Sequence, residues 1–65
     1  MDNNKKLIDY CERILFSIDE MFADLPELER NMPLEVKFTR DEIDKIDEAY
    51  EVVYTKLVEL EKVKE

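Results

Sequence analysis

Apolar residues in the first third of the chain recur every three or four positions, which is the period of an α-helix and not of a strand. They form an unbroken heptad pattern, typical of helices that pack on other helices, at Leu7, Cys11, Ile14, Ile18, Met21 and Leu25. This stripe is widened by residues that recur every seven positions beside it, namely Ile8, Leu15 and Phe22. Because the residue before a proline is disfavoured in the α region, Pro26 predicts a helix end at Leu25. We therefore predict a first helix over about residues 4–25.

The last third of the chain begins with a helix-start signal and continues with the same period. Thr39 and Glu42 have the spacing of a capping box, in which each side chain accepts a hydrogen bond from the other residue's backbone. The heptad pattern that follows consists of Ile43, Ile46, Tyr50, Val53, Leu57 and Leu60. A second helix is predicted over about residues 40–63.

The segment between the two helices, about residues 26–39, contains both prolines of the chain and is predicted to be a connector. Its sequence is compatible with two conformations. One is a short third helix over about Glu27–Asn31, closed by Pro33. The other is an extended segment that lays its alternating apolar residues on the helices, these being Leu34, Val36 and Phe38. A sheet is not expected, because an isolated strand would have no partner.

Two helices of similar length joined by such a connector predict an all-α fold, an antiparallel helical hairpin with a single domain over residues 1–65. Each helix would be about 35 Å long. The apolar stripes are wider than one pair of helices can cover. Two hairpins could therefore pair as a homodimer that forms a four-helix bundle, which is the alternative to a monomer.

The composition excludes several kinds of functional site. With no Gly, the chain lacks the loops that bind phosphate, dinucleotides or Ca²⁺ in P-loop, Rossmann and EF-hand proteins. With no His and one Cys, it cannot form a zinc finger, a His-based catalytic triad or an internal disulfide. Cys11 lies among aliphatic residues and is expected to be an unreactive apolar side chain. We expect no enzymatic activity, no cofactor and no metal site.

The charge balance narrows the partners that the chain could bind. Eighteen Asp and Glu against ten Lys and Arg give a net charge of −8. Direct binding of nucleic acid is disfavoured, because it requires clustered Lys and Arg. No apolar run has the length of a transmembrane helix or a signal peptide, so no membrane association is expected. A cytoplasmic location is predicted, where a single Cys stays reduced.

The start of the second helix is rich in acidic residues, which are Asp41, Glu42, Asp44, Asp47, Glu48 and Glu51. The helix dipole favours acids in the first turn and accounts for Asp41 and Glu42. It does not account for the pairs Asp44–Glu48 and Asp47–Glu51, because like charges four positions apart destabilise a helix by about 0.2–0.5 kcal/mol per pair. The stripe is either an ordinary solvated surface or a face that binds Lys and Arg of a partner.

An aromatic residue, Phe16, lies opposite the apolar stripe of the first helix and is suited to anchor a partner. The residues expected to bind a partner are Asp41, Asp44, Asp47, Glu48, Glu51 and Phe16. By analogy of size and charge, we expect a small non-enzymatic protein-binding module of the inhibitor, antitoxin or phage-regulator kind, a nucleic-acid mimic that occludes a basic surface of another protein. The alternative is a structural oligomerisation or adaptor bundle, in which the heptad pattern is the functional part and the acids only provide solubility.

Overall fold

The protein is a hairpin of two α-helices in a computed structural model, which describes residues 3–63. Helix α1 (Asn3–Leu28) packs against helix α2 (Arg40–Lys62), and residues 29–39 connect them through turns and one 3₁₀ turn, Leu34–Val36. Residues 3–63 contain no strand. The predicted all-α hairpin is confirmed.

Helix α1 ends later than the sequence predicted. It continues through Pro26 to Leu28, whereas we expected its end at Leu25. Leu25 is one of the buried residues of the protein, so packing stabilises its helical conformation against the effect of the following proline. Pro26 lies in the last turn, where its missing N–H removes a single helical hydrogen bond. The helical hydrogen-bond pattern continues after Pro26, since the backbone N–H of Glu29 donates to the carbonyl of Leu25 at 2.9 Å.

The connector adopts neither of the two conformations that its sequence suggested. The predicted short helix over Glu27–Asn31 is replaced by the end of α1 and a turn, and the extended segment is interrupted by the 3₁₀ turn after Pro33. Leu34, Val36 and Phe38 are 82%, 58% and 40% exposed, so the expectation that this segment lays its apolar residues on the helices is wrong. The connector is instead held by the Glu29 carboxylate, which accepts a hydrogen bond from the backbone N–H of Phe38 at 2.8 Å.

The predicted capping box at the start of α2 is confirmed. The Thr39 hydroxyl accepts from the backbone N–H of Glu42 at 3.1 Å, and the Glu42 carboxylate accepts from the backbone N–H of Thr39 at 2.9 Å. These bonds satisfy N–H groups that have no partner within the helix. They fix the residue at which α2 begins, and therefore the rotation of its faces.

The line along which α1 packs on α2 differs from the predicted one. Leu7 and Ile14 of the predicted pattern are 45% and 46% exposed, whereas their neighbours Ile8 and Leu15 are buried. All the buried residues of α1 and two of its half-buried ones form what we call the contact line, with steps of three and four, which consists of Ile8, Cys11, Leu15, Ile18, Phe22 and Leu25. The apolar stripe of α1 is too wide for a single neighbouring helix, which covers only one side of it. On α2 all the predicted heptad residues are half-buried, and so is Val58 beside them.

Candidate functional site

The acidic residues predicted to bind a partner share one exposed face of α2. We call Asp41, Asp44, Asp47, Glu48 and Glu51 the acidic face, and each of them is solvent-exposed. Four of them line one shallow surface depression, namely Asp44, Asp47, Glu48 and Glu51. The spacing of three and four residues accounts for this, because it brings side chains on successive helical turns to within about 5–6 Å at their Cβ atoms.

The ends of the acidic face differ in how well their charges are neutralised. At the N-terminal end, Lys45 pairs with Asp41 at 3.1 Å and Arg40 pairs with Asp44 at 3.4 Å, both within α2. Within residues 3–63, the three remaining carboxylates have no Lys or Arg nitrogen within 4 Å, and these are Asp47, Glu48 and Glu51. The uncompensated negative charge is therefore concentrated in the middle of α2.

An exposed apolar side chain, which lies off the apolar stripe of α2, is found beside these carboxylates. Val52 is 67% exposed and lines a second depression together with Glu48, Glu51, Thr55, Lys56 and Glu59. The two depressions share Glu48 and Glu51, so the second depression adjoins the acidic face on the side nearer the C-terminal end of α2. A lone valine on a charged helix face is common, which is why its spacing alone carried no signal.

Phe16 does not join the acidic residues in one cluster. It is 62% exposed on α1, whereas the acidic face lies on α2, and it lines neither of the two depressions. The apolar residue next to the carboxylates is Val52, and Phe16 belongs to a different surface of the hairpin.

The two helices are joined beside the acidic face by a hydrogen bond in which the Tyr50 hydroxyl donates to the Asp19 carboxylate at 3.1 Å. Partial burial raises the pKa of Tyr50, and the hydrogen bond to Asp19 and the charges of Asp19, Tyr54 and Asp47 raise it further. The folded structure therefore favours the protonated, neutral form of the Tyr50 side chain. The bond fixes α2, and with it the acidic face, relative to α1.

Within residues 3–63, the cysteine and the remaining carboxylates form no organised site. Cys11 is a free cysteine buried between the helices, as expected for a small apolar side chain. Among residues 3–63, no cluster of His, Cys, Asp and Glu side chains has the arrangement of a metal site. Neither α1 nor α2 is long and apolar enough to cross a membrane.

Comparison of the chain with protein-family models, with curated proteins and with solved structures found no match.

Proposed function

We propose that this protein is a small non-enzymatic binding module whose acidic face occludes a basic, nucleic-acid-binding surface of a partner protein. The observation that carries the proposal is the convergence of Asp44, Asp47, Glu48 and Glu51 on one exposed depression of a single helix. The net charge of −8 adds a long-range field of the same sign.

The electrostatic cost of the acidic face favours a cationic partner. Asp44–Glu48 and Asp47–Glu51 are like-charged pairs four positions apart, each unfavourable by about 0.2–0.5 kcal/mol. Lys or Arg side chains of a partner would remove this repulsion. They would also be attracted from a distance, since complementary fields raise association rates by about 10–1,000-fold at low ionic strength.

The rigidity of α2 makes the acidic face a competitor for nucleic acid. A helix holds its carboxylates in a fixed row, as a nucleic-acid strand holds its phosphates, so little conformational entropy is lost on binding. The exposed Val52 supplies an apolar contact among these charges. A partner whose cations were covered by this row could not bind phosphates with the same side chains.

Competitive elution from immobilised DNA tests the proposal directly. A bacterial lysate is loaded on DNA-cellulose at low salt, and the purified protein is then passed over the column. We expect it to release a discrete DNA-binding protein. The double variant Asp47→Lys with Glu51→Lys should need at least about tenfold more protein for the same release, because two contacts become repulsive.

The matched control changes the net charge equally but leaves the acidic face intact. Glu12→Lys on α1 with Glu35→Lys in the connector reverses two exposed carboxylates that have no ion pair within residues 3–63. This control should release the DNA-binding protein as the wild type does. Equal activity of the Asp47/Glu51 variant and the wild type would contradict the proposal.

A further inference from the structure

The apolar surface of α1 is only partly covered by α2. Beside the contact line, a second row of apolar residues runs along the helix, which we call the open seam and which consists of Leu7, Tyr10, Ile14, Met21 and Leu28. Met21 is half-buried and the others are exposed. At 3.6 residues per turn, the centre of the open seam is rotated by about 80° around the axis of α1 from the centre of the contact line. It therefore borders one edge of the groove between the helices, whereas Asp19 borders the other.

The open seam has the spacing of a helix–helix interface. Its residues are three, four and seven positions apart, and Ser17 and Asp24 occupy the two places that complete the a/d heptad pattern. Ser17 lies in the middle of the pattern, where a small side chain allows close approach of a second helix. Asp24 lies near its C-terminal end, where a carboxylate can remain in contact with water.

The charges beside the open seam are arranged for an antiparallel copy of the same helix. They lie on a line with a period of seven, which we call the flanking line and which consists of Lys6, Arg13, Glu20 and Glu27. Arg13 borders the open seam directly, since its guanidinium carbon lies 5.8 Å from the centre of the Tyr10 ring. The first two residues of the line are basic and the last two are acidic. Reversing the direction of one copy therefore places opposite charges together along the whole line.

We infer that two copies of this protein pair through the open seam, with their α1 helices antiparallel. Lys6 of each copy then faces Glu27 of the other, and Arg13 faces Glu20, which is the reciprocal pattern that two-fold symmetry requires. A parallel pair has no such match, because the positions facing the flanking line would be Cys11 and Ile18. The charges of the flanking line thus favour a second copy of this chain as the partner and an antiparallel orientation of its α1 helix.

The surface area of the hairpin is consistent with one such interface. The protein exposes 5496 Å² of surface, whereas a compact monomer of this chain length is expected to expose about 4,400 Å². The excess of about 1,100 Å² is slightly more than the roughly 800 Å² that each partner buries in an interface of standard size. The few buried residues are all on α1, so added burial of that helix would supplement a small core.

The ion pairs already present on the flanking line do not prevent this association. Arg13 pairs with Asp9 at 2.8 Å and Glu27 pairs with Arg30 at 3.4 Å, and all four side chains are largely exposed. Exposed pairs of this kind contribute little to stability and exchange readily. The acidic face lies on α2 and takes no part in the inferred contact, so the inference does not depend on the proposed function.

Sedimentation equilibrium of the full chain, from low micromolar to near-millimolar concentration, tests the inference. We expect a reversible dimer of the 7.9 kDa chain. Glu20→Lys should weaken the dimer about tenfold, because it places like charges opposite Arg13. Adding Arg13→Glu should restore the affinity to within about threefold of the wild type, since the pair is reversed and not removed. The control Glu12→Lys makes the same change in net charge away from the flanking line and should not weaken the dimer.

A second set of variants tests the apolar part of the interface. Tyr10→Ser with Ile14→Ser should give a monomer that retains its helical circular dichroism, because both residues are exposed in the hairpin. Phe16→Ser, which removes an exposed aromatic residue from another surface, should leave the dimer intact. A wild type that is monomeric throughout would overturn the inference, as would a dimer that responds to Phe16→Ser and not to the open-seam variants. Failure of the charge swap to restore affinity would overturn the antiparallel arrangement.

Discussion

Tyr50 contributes both to the packing between the two helices and to a hydrogen bond at the edge of their interface, with Asp19. The Tyr50 ring occupies a heptad position and is half-buried, while its hydroxyl reaches a carboxylate on the other helix. A buried aliphatic residue at this position would pack as well but could not fix the rotation of α2. The same contact makes the stability of the hairpin depend on the protonation of one phenol.

The pH dependence of this contact has a definite sign. The pKa of Tyr50 is raised above its ordinary value of 10.0 in the folded protein, so folding favours the neutral phenol. The stabilisation is complete below about pH 10 and is lost as the pH rises through the folded-state pKa. We expect the free energy of unfolding of the wild type to fall more steeply above pH 10 than that of Tyr50→Phe. Urea unfolding followed by circular dichroism between neutral and strongly alkaline pH measures both slopes.

The control for this prediction is Tyr10→Phe, which removes a largely exposed phenol of α1 that does not contribute to the pKa shift of Tyr50. It should keep the steep wild-type dependence on pH. If Tyr50→Phe and the wild type had the same slope, the hydrogen bond to Asp19 would have no part in the alkaline loss of stability.

At the scale of the elements, α2 owes its start to two reciprocal hydrogen bonds. Thr39→Ala removes one member of the capping box and should destabilise the hairpin by about 0.5–2 kcal/mol. For a domain of this size, each kcal/mol corresponds to a fall of roughly 4–8 °C in Tm. Thr55→Ala makes the same substitution inside α2 and should leave Tm unchanged or slightly raised, since alanine is the better helix former. Thermal unfolding of the two variants distinguishes a capping effect from a general effect of losing a threonine.

The two helices differ in how well their packing could be predicted from the sequence. On α2 the apolar stripe is narrow enough that the half-buried residues are the predicted heptad residues and Val58. On α1 the apolar residues come in adjacent pairs such as Leu7–Ile8 and Ile14–Leu15, and the spacing is equally regular for either member. Which member packs inward is decided by contact with α2, a long-range constraint that the local pattern does not contain. The predicted heptad pattern therefore combined residues of the contact line with residues of the open seam.

The candidate site was predictable to a similar extent. The common face of the acidic residues follows from helical spacing and is present. The position of Val52 beside this face also follows from helical spacing, because Val52 is four positions from Glu48 in α2. The separation of Phe16 from this face depends on how the two helices are arranged. The end of α1 was predicted too early because burial of Leu25 outweighs the local effect of Pro26, and burial is also a property of the whole fold.

At the scale of the whole molecule, the stability of the hairpin rests on a single small interface between two helices. Leu15 is 8% exposed, so Leu15→Asp places an unpaired charge in this interface at a cost of several kcal/mol. A core of this size supplies only about 3–5 kcal/mol, so the variant should be unfolded. Its neighbour Ile14 is about half exposed, and Ile14→Asp should still fold at low protein concentration.

Circular dichroism and thermal unfolding of these two variants at low micromolar concentration test the contact line with substitutions one residue apart. Cooperative unfolding of Ile14→Asp together with loss of helix in Leu15→Asp is the expected result. The reverse pattern would show that α1 packs through the row containing Leu7 and Ile14.

The position of the connector has a consequence for the order in which the hairpin forms. Leu25 and Ile43 line the same surface pocket close to the connector. Pairs of residues farther from the connector are separated by more of the chain, so bringing them together closes a longer loop. Each doubling of loop length adds about 0.6 kcal/mol of entropic cost, so nucleation is favoured at the connector and growth proceeds away from it. We expect the folding nucleus to form at the turn that follows Pro26 and the end of α1. The end that carries Leu7 and Tyr10 then forms last and opens first, and it is the end that a second copy would hold closed.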